Sequence, residues 1–192
     1  MFLWKAPAAV VAAAALALAG CAGGSDSTGD DASGGGTLTL VAILAPQTFD
    51  PAQSQWGNQS PFYQATYDTL LLATPEGTIE PWLASDFAYN EDNTELTLTL
   101  RDDVTFTDGS ELNADVVVEN MQRFKDGSGP DVGYLSNVET ISAADESTVV
   151  ISLSAPDPAL LNYLTRTAGL VAAEASLDRE DLATTPVGSG PY

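Results

Sequence analysis

Cys21 is the one cysteine of this 192-residue chain, and the chain contains no histidine. A lone thiol has no disulfide partner, and without an imidazole it has neither a metal co-ligand of the Cys/His type nor a base to activate it as a nucleophile. Asp102, Asp103 and Asp108 could be offered as carboxylates for acid–base work. Neighbours in a strand point to opposite faces, however, and turns are rich in Asp, so they read as turn and surface residues. The phrases "GSGP" (Gly127–Pro130) and "GSGPY" (Gly188–Tyr192) lack the lysine and the helix-opening context of a phosphate cradle, and read as turns. No metal-ligand spacing is present. These residues point away from catalysis, and they call for no cofactor.

The setting of Cys21 gives it another use. Upstream stand "MFLWK", with one positive charge at Lys5, and then 15 apolar or small residues from Ala6 to Gly20. A bilayer-spanning helix needs roughly 20 apolar residues, whereas the core of a secretory signal spans roughly 7 to 15 and ends in small side chains. "LAGC" (Leu18, Ala19, Gly20, Cys21) resembles the lipobox of bacterial lipoproteins, in which the thiol is acylated and cleavage leaves Cys as the first residue. That resemblance implies a signal peptide over residues 1–20 and a lipid tether at Cys21, each buried acyl methylene contributing about 0.8 kcal/mol. Residues 21–36 then read as a flexible Gly/Ser/Asp linker. With 27 acidic against 6 basic residues, a formal net charge of −21, the chain repels phosphate backbones, so nucleic acid is not an expected partner.

From Thr37 the pattern changes. "TLTLVAIL" (Thr37–Leu44) suits a buried strand, and Ala45–Gln59 has no period and reads as a long loop of the kind that carries function. Ser60 with Pro61 predicts a helix from Pro61 to about Leu70, with Phe62, Ala65, Thr66 and Leu70 on one face. A hairpin is expected to turn at Pro75, Glu76 and Gly77. In "TELTLTLR" the alternation places Leu96, Leu98 and Leu100 on one face of an antiparallel strand. Asn113 caps a predicted helix from Ala114 to about Lys125, with Val117, Met121 and Phe124 at helical spacing. Val138–Ser154 reads as a hairpin turning near Asp145 and Glu146, and Asp157 with Pro158 opens a short helix.

Several phrases in order resemble the extracellular solute-binding proteins of peptide and nickel importers, family 5. They are "TFDPA" (Thr48–Ala52), "YDTLL" (Tyr67–Leu71), "PEGTIEPWLASDF" (Pro75–Phe87), "LTLRDDVTFTDGSELNADVVVENMQRF" (Leu98–Phe124) and "PVGSGPY" (Pro186–Tyr192). Thr107 stands where many relatives have His. The resemblance implies an α+β/α/β protein of the periplasmic-binding-protein-like type II, or venus-flytrap, fold. Residues 37–65 would be the first strand and loop of lobe 1, residues 66–185 an inserted α+β domain, and residues 186–192 the return to lobe 1. On that frame the chain is expected to be an N-terminal fragment.

The same resemblance implies that the loop after "DP" reaches the solute, and a gapless match places Gln55, Trp56 and Gly57 at contact positions. Trp56 either covers a ligand face or packs between lobes. The function implied is the lipid-anchored solute-binding component of an ABC importer, at the extracellular or periplasmic face of the cell membrane. It would capture a peptide-like solute, deliver it to a permease and ATPase complex, and perform no chemistry. The alternative is an acidic surface lipoprotein module that binds a protein partner and no solute.

Overall fold

Alternation of apolar and polar residues sets the central sheet. The computed structural model describes Thr39 and residues 41–192, so Cys21 and the expected signal and linker lie outside the described residues. Strands β1 (Leu71–Ala73) and β2 (Ile79–Pro81) form the expected hairpin across the Pro75–Gly77 turn. Strands β3 (Ala84–Tyr89), β4 (Glu95–Leu100), β5 (Val138–Asp145) and β6 (Thr148–Leu153) form an antiparallel sheet in the order β3-β4-β6-β5. Leu96, Leu98 and Leu100 are buried as predicted, and the register sets Leu96 opposite Ile151 and Leu98 opposite Val149, both fully buried. Each such side chain contributes about 1.5–3 kcal/mol on burial, and a one-residue slip would exchange them for Thr97 and Thr99, so the register is tightly specified.

Helix α2 (Ala114–Lys125) covers the buried face with Val116, Val117, Met121 and Phe124. Asn113 caps it as expected, its side-chain oxygen accepting from the Val116 amide at 3.0 Å. Asp115 near the start and Arg123 and Lys125 near the end complement the helix dipole. The buried Asn120 amide does what the sequence did not announce. Its Nδ2 donates to the Ala172 carbonyl at 2.8 Å and its Oδ1 accepts from the Ala172 amide at 3.0 Å, which fixes α2 to the segment that follows the short helix α3 (Leu160–Tyr163).

Two expectations are corrected. No strand forms over Thr39 and Val41–Leu44, the described part of Thr37–Leu44; Val41 and Ile43 are almost fully exposed, because no described strand offers this segment hydrogen-bond partners. The helix expected to run to Leu70 is shorter and turned. It is α1 (Ser60–Thr66), the first α-helix among the described residues, with Gln59 and not Ser60 at its N-cap position. It ends because Tyr67 is extended, and its buried face carries Tyr63 in place of Phe62, Ala65 and Thr66.

The reason lies at the far end of the chain. The backbone of Gly188–Tyr192 crosses the end of this helix, the Gly190 amide donating to the Thr66 carbonyl at 3.2 Å and the Tyr192 amide to the Ala65 carbonyl at 3.1 Å. Helix carbonyls left without intrahelical partners are thereby satisfied. A Cβ at Gly188 would overlap the Thr66 carbonyl, and one at Gly129 the Ala52 carbonyl. The two glycine-rich phrases, expected as turns, are places where backbone meets backbone. A last helical turn covers Glu174–Leu177.

Candidate functional site

The loop singled out by sequence, Ala45–Gln59, is pinned at several points. Asp50 accepts from the Ala52 amide at 3.0 Å and so opens a 3-10 turn over Pro51–Gln53. The same carboxylate forms a two-pronged ion pair with Arg123 of α2, Nη2 to Oδ2 at 2.9 Å and Nη1 to Oδ1 closer still. This pairing holds the Arg123 pKa above its ordinary value. The Arg123 partner lies 73 positions away and leaves no local signal in the sequence. The Phe49 amide donates to the Ala183 carbonyl at 2.9 Å, and the Phe49 ring meets the Tyr63 ring edge-on at 6.3 Å.

Beneath the loop lies a second, smaller core of Tyr63, Tyr67, Leu170, Ala172 and Leu177. The Tyr67 hydroxyl donates to the Phe49 carbonyl at 2.9 Å, and the Tyr63 hydroxyl donates to Gln59 Oε1 at 2.7 Å. Burial raises the pKa of both hydroxyls, with nearby Asp50 adding to the effect at Tyr67 and Asp131 at Tyr63. Both therefore remain neutral donors at any physiological pH.

Gln55 and Gly57 are exposed, and Trp56 is half-buried against this small core. The Trp56 amide donates to Asp131 Oδ2 at 3.1 Å, and the Thr167 hydroxyl donates to the same oxygen at 2.9 Å. Asp131 thus joins three separate segments. A Cβ at Gly57 would meet nothing, so the backbone there is open to solvent. Gln55 lines a cleft of about 370 Å³ together with Gln47, Thr48, Gln53, Gln59 and Pro130. Trp56 and Gly57 stand beside Gln55 in the chain but are not among the residues that line the cleft. Arg166, half-buried one residue before Thr167, enters no ion pair among the described residues. Sequence could have marked it only by its rarity in an acidic chain.

The carboxylates weighed for acid–base work are placed as surface and turn residues. Asp103 pairs with the exposed Arg101 at 2.8 Å, which lowers its pKa. Asp108 accepts from the Ser110 amide and hydroxyl at 2.9 and 2.6 Å, shaping the turn in which Gly109 takes φ +87°. A larger cleft, about 650 Å³, opens at the start of α2 between Glu111, Glu119, Glu174 and Asp178. Partial burial and then its acidic neighbours Glu174 and Asp178 raise the Glu119 pKa. No residue predicted to contact solute lines that cleft. Among the described residues no group of three or more His, Cys, Asp or Glu is placed to hold a metal ion, and no helix is long and apolar enough to cross a membrane.

Residues 78–192 match the family described as bacterial extracellular solute-binding proteins, family 5 Middle. The glutathione-binding protein GsiB of Escherichia coli is 28% identical over 149 residues, covering 76% of this chain and 29% of that protein. Among solved structures, the binding protein AgaA of A. tumefaciens in complex with agropinic acid superposes with a TM-score of 0.68 at 29% identity. The match covers 76% of this chain and 30% of that one. NikZ of Campylobacter jejuni, in complex with Ni(L-His), gives 0.65 at 26% identity with the same coverage. The chain therefore spans about three tenths of the length of these relatives. The fold is that of the periplasmic-binding-protein type II class, of which these residues form part. A family match over more than half the chain, and structural likeness to solute-binding proteins across three quarters of it, make this chain a member of the bacterial extracellular solute-binding proteins, family 5.

Proposed function

We propose that this chain is the solute-recognising part of a lipid-anchored component of an ABC importer. It takes up a peptide-like solute outside the cell and delivers it to a membrane permease and its ATPase. The observation that carries this reading is the cleft lined by Gln55, which the half-buried Trp56 and the open backbone of Gly57 follow in the chain, in a protein that belongs to a solute-binding family. A relative named for glutathione, itself a tripeptide, supports a peptide-like solute. Gln55, Trp56 and Gly57 form the contact loop, residues 37–65 belong with lobe 1, and residues 66–185 form the inserted domain. Cys21, acylated, is the tether, and residues 21–36 are the leash that lets the binding domain move above the membrane.

A cleft on one surface leaves part of a bound solute in water, where its hydrogen bonds exchange with solvent at little net gain, so the expected affinity is weak. Equilibrium dialysis against a mixed di- and tripeptide library, with mass spectrometry of both compartments, tests the reading. Added salt is needed so that the net charge of −21 does not collect cationic peptides by itself. A subset of peptides, not ranked by their charge, should concentrate on the protein side. A library distributed evenly, or by charge alone, overturns the reading. Intact mass of protein extracted from the membrane reads the tether: diacylated Cys21 at the N-terminus is expected, and an unmodified thiol behind Met1 contradicts it.

A further inference from the structure

The composition of the cleft beside Gln55 is not that of the chain. The sequence has six glutamines, and four of them, Gln47, Gln53, Gln55 and Gln59, line this one cleft. The same sequence has 27 acidic residues, and none of them lines it. Thr48 and Pro130 complete the lining, so every side chain there is uncharged.

The amides are also unspent. Among the described residues the side chains of Gln47, Gln53 and Gln55 make no hydrogen bond. Gln59 is 95% buried by its 5% exposure, and its Oε1 is taken by the Tyr63 hydroxyl, while its Nε2 donates to no described group. No buried side-chain nitrogen or oxygen among the described residues lacks a partner, so this Nε2 is reached by solvent and can donate to a molecule in the cleft. Each glutamine amide carries two donors and two acceptor lone pairs side by side, the same complement that a peptide group presents one at a time. The carboxylates tied to the loop are engaged elsewhere: Asp131 accepts from the Trp56 amide and the Thr167 hydroxyl through one oxygen, and Asp50 pairs with Arg123.

Resting on the solute-binding reading above, we propose that the glutamine cleft is a subsite for an uncharged, amide-bearing stretch of the solute, held through amide hydrogen bonds and blind to the charges at the solute's ends. The physical reason is a match of neutral donors and acceptors. A charged ammonium or carboxylate entering the cleft would lose hydration and meet no ion to replace it. A peptide group loses only hydrogen bonds that the glutamines can return.

Side-chain amide signals in nitrogen-15 correlation spectra test this on the whole chain, since they report contacts even when binding is weak. Gln64 and Gln122, outside the cleft, are internal controls. N-acetyl-trialanine amide and free trialanine should move the signals of Gln47, Gln53, Gln55 and Gln59, with dissociation constants equal within about twofold and unchanged by added sodium chloride. The two control signals should stay in place. Free trialanine binding tenfold or more tightly than the blocked peptide overturns the inference and leaves the solute site standing. So does a neutral trisaccharide that moves the four signals while both peptides move none, because the cleft would then read hydroxyl groups. If neither peptide nor saccharide moves any of the four, both the inference and the site beneath it fall.

Discussion

Asp50 shows how one side chain serves two structures at once. Its carboxylate caps the turn at Ala52 and binds the Arg123 guanidinium, with Asp50 itself only 14% exposed. Removing it leaves a half-buried cation and an unsatisfied turn amide, and hydrogen bonds to charged groups contribute about 1.5–3 kcal/mol each. Asp50→Ala should therefore lower stability by about 2 kcal/mol or more in urea unfolding, whereas Asp50→Asn, which can still cap Ala52, should cost less. Equal stability of all three proteins would mean that the pair contributes nothing. Cys21, the residue whose chemistry is clearest in the sequence, is a matter for mass measurement, since it lies outside the described residues.

At the scale of elements, what the sequence made legible was local. Asn113 and the Val117, Met121, Phe124 spacing marked α2 with its observed bounds, and the Leu96, Leu98, Leu100 alternation marked the buried face of β4, because cap and period act within a few residues. The helix before Tyr67 is a turn shorter than its sequence predicts because its end is set by Gly188–Tyr192, more than 120 positions away, and the strand expected at Thr37–Leu44 does not form over its described residues, where no described strand offers it partners. Leu98→Asp tests the face directly. Leu98 is fully buried between Phe87 and Val149, so an unpaired charge there should cost about 4 kcal/mol or more and leave little folded protein. Thr99→Lys, on the exposed face of the same strand, should stay within about 0.5 kcal/mol of the parent. Similar melting curves for the two variants would show the face to be wrongly assigned.

For the whole molecule, the candidate site joins parts that no stretch of sequence contains. Family resemblance marks the "DP" loop and Gln55 as candidates for solute contact. The cleft, however, needs Pro130 from the loop after α2, Asp131 to hold the Trp56 amide, and Arg123 to hold Asp50. These are tertiary pairings between residues that carry no local pattern. Trp56 packs on the small core as well as facing solvent, so truncating it would remove packing along with any contact to solute. Gln55 separates the two roles: it is exposed, its side chain bonds to no described group, and it lines the cleft. The most direct measurement is a calorimetric titration of the parent chain and Gln55→Ala with a peptide retained in dialysis, alongside their melting temperatures. Solute binding at this face predicts affinity lower by about tenfold, roughly 1.4 kcal/mol, at an unchanged melting temperature. Equal affinity in the two proteins would contradict it.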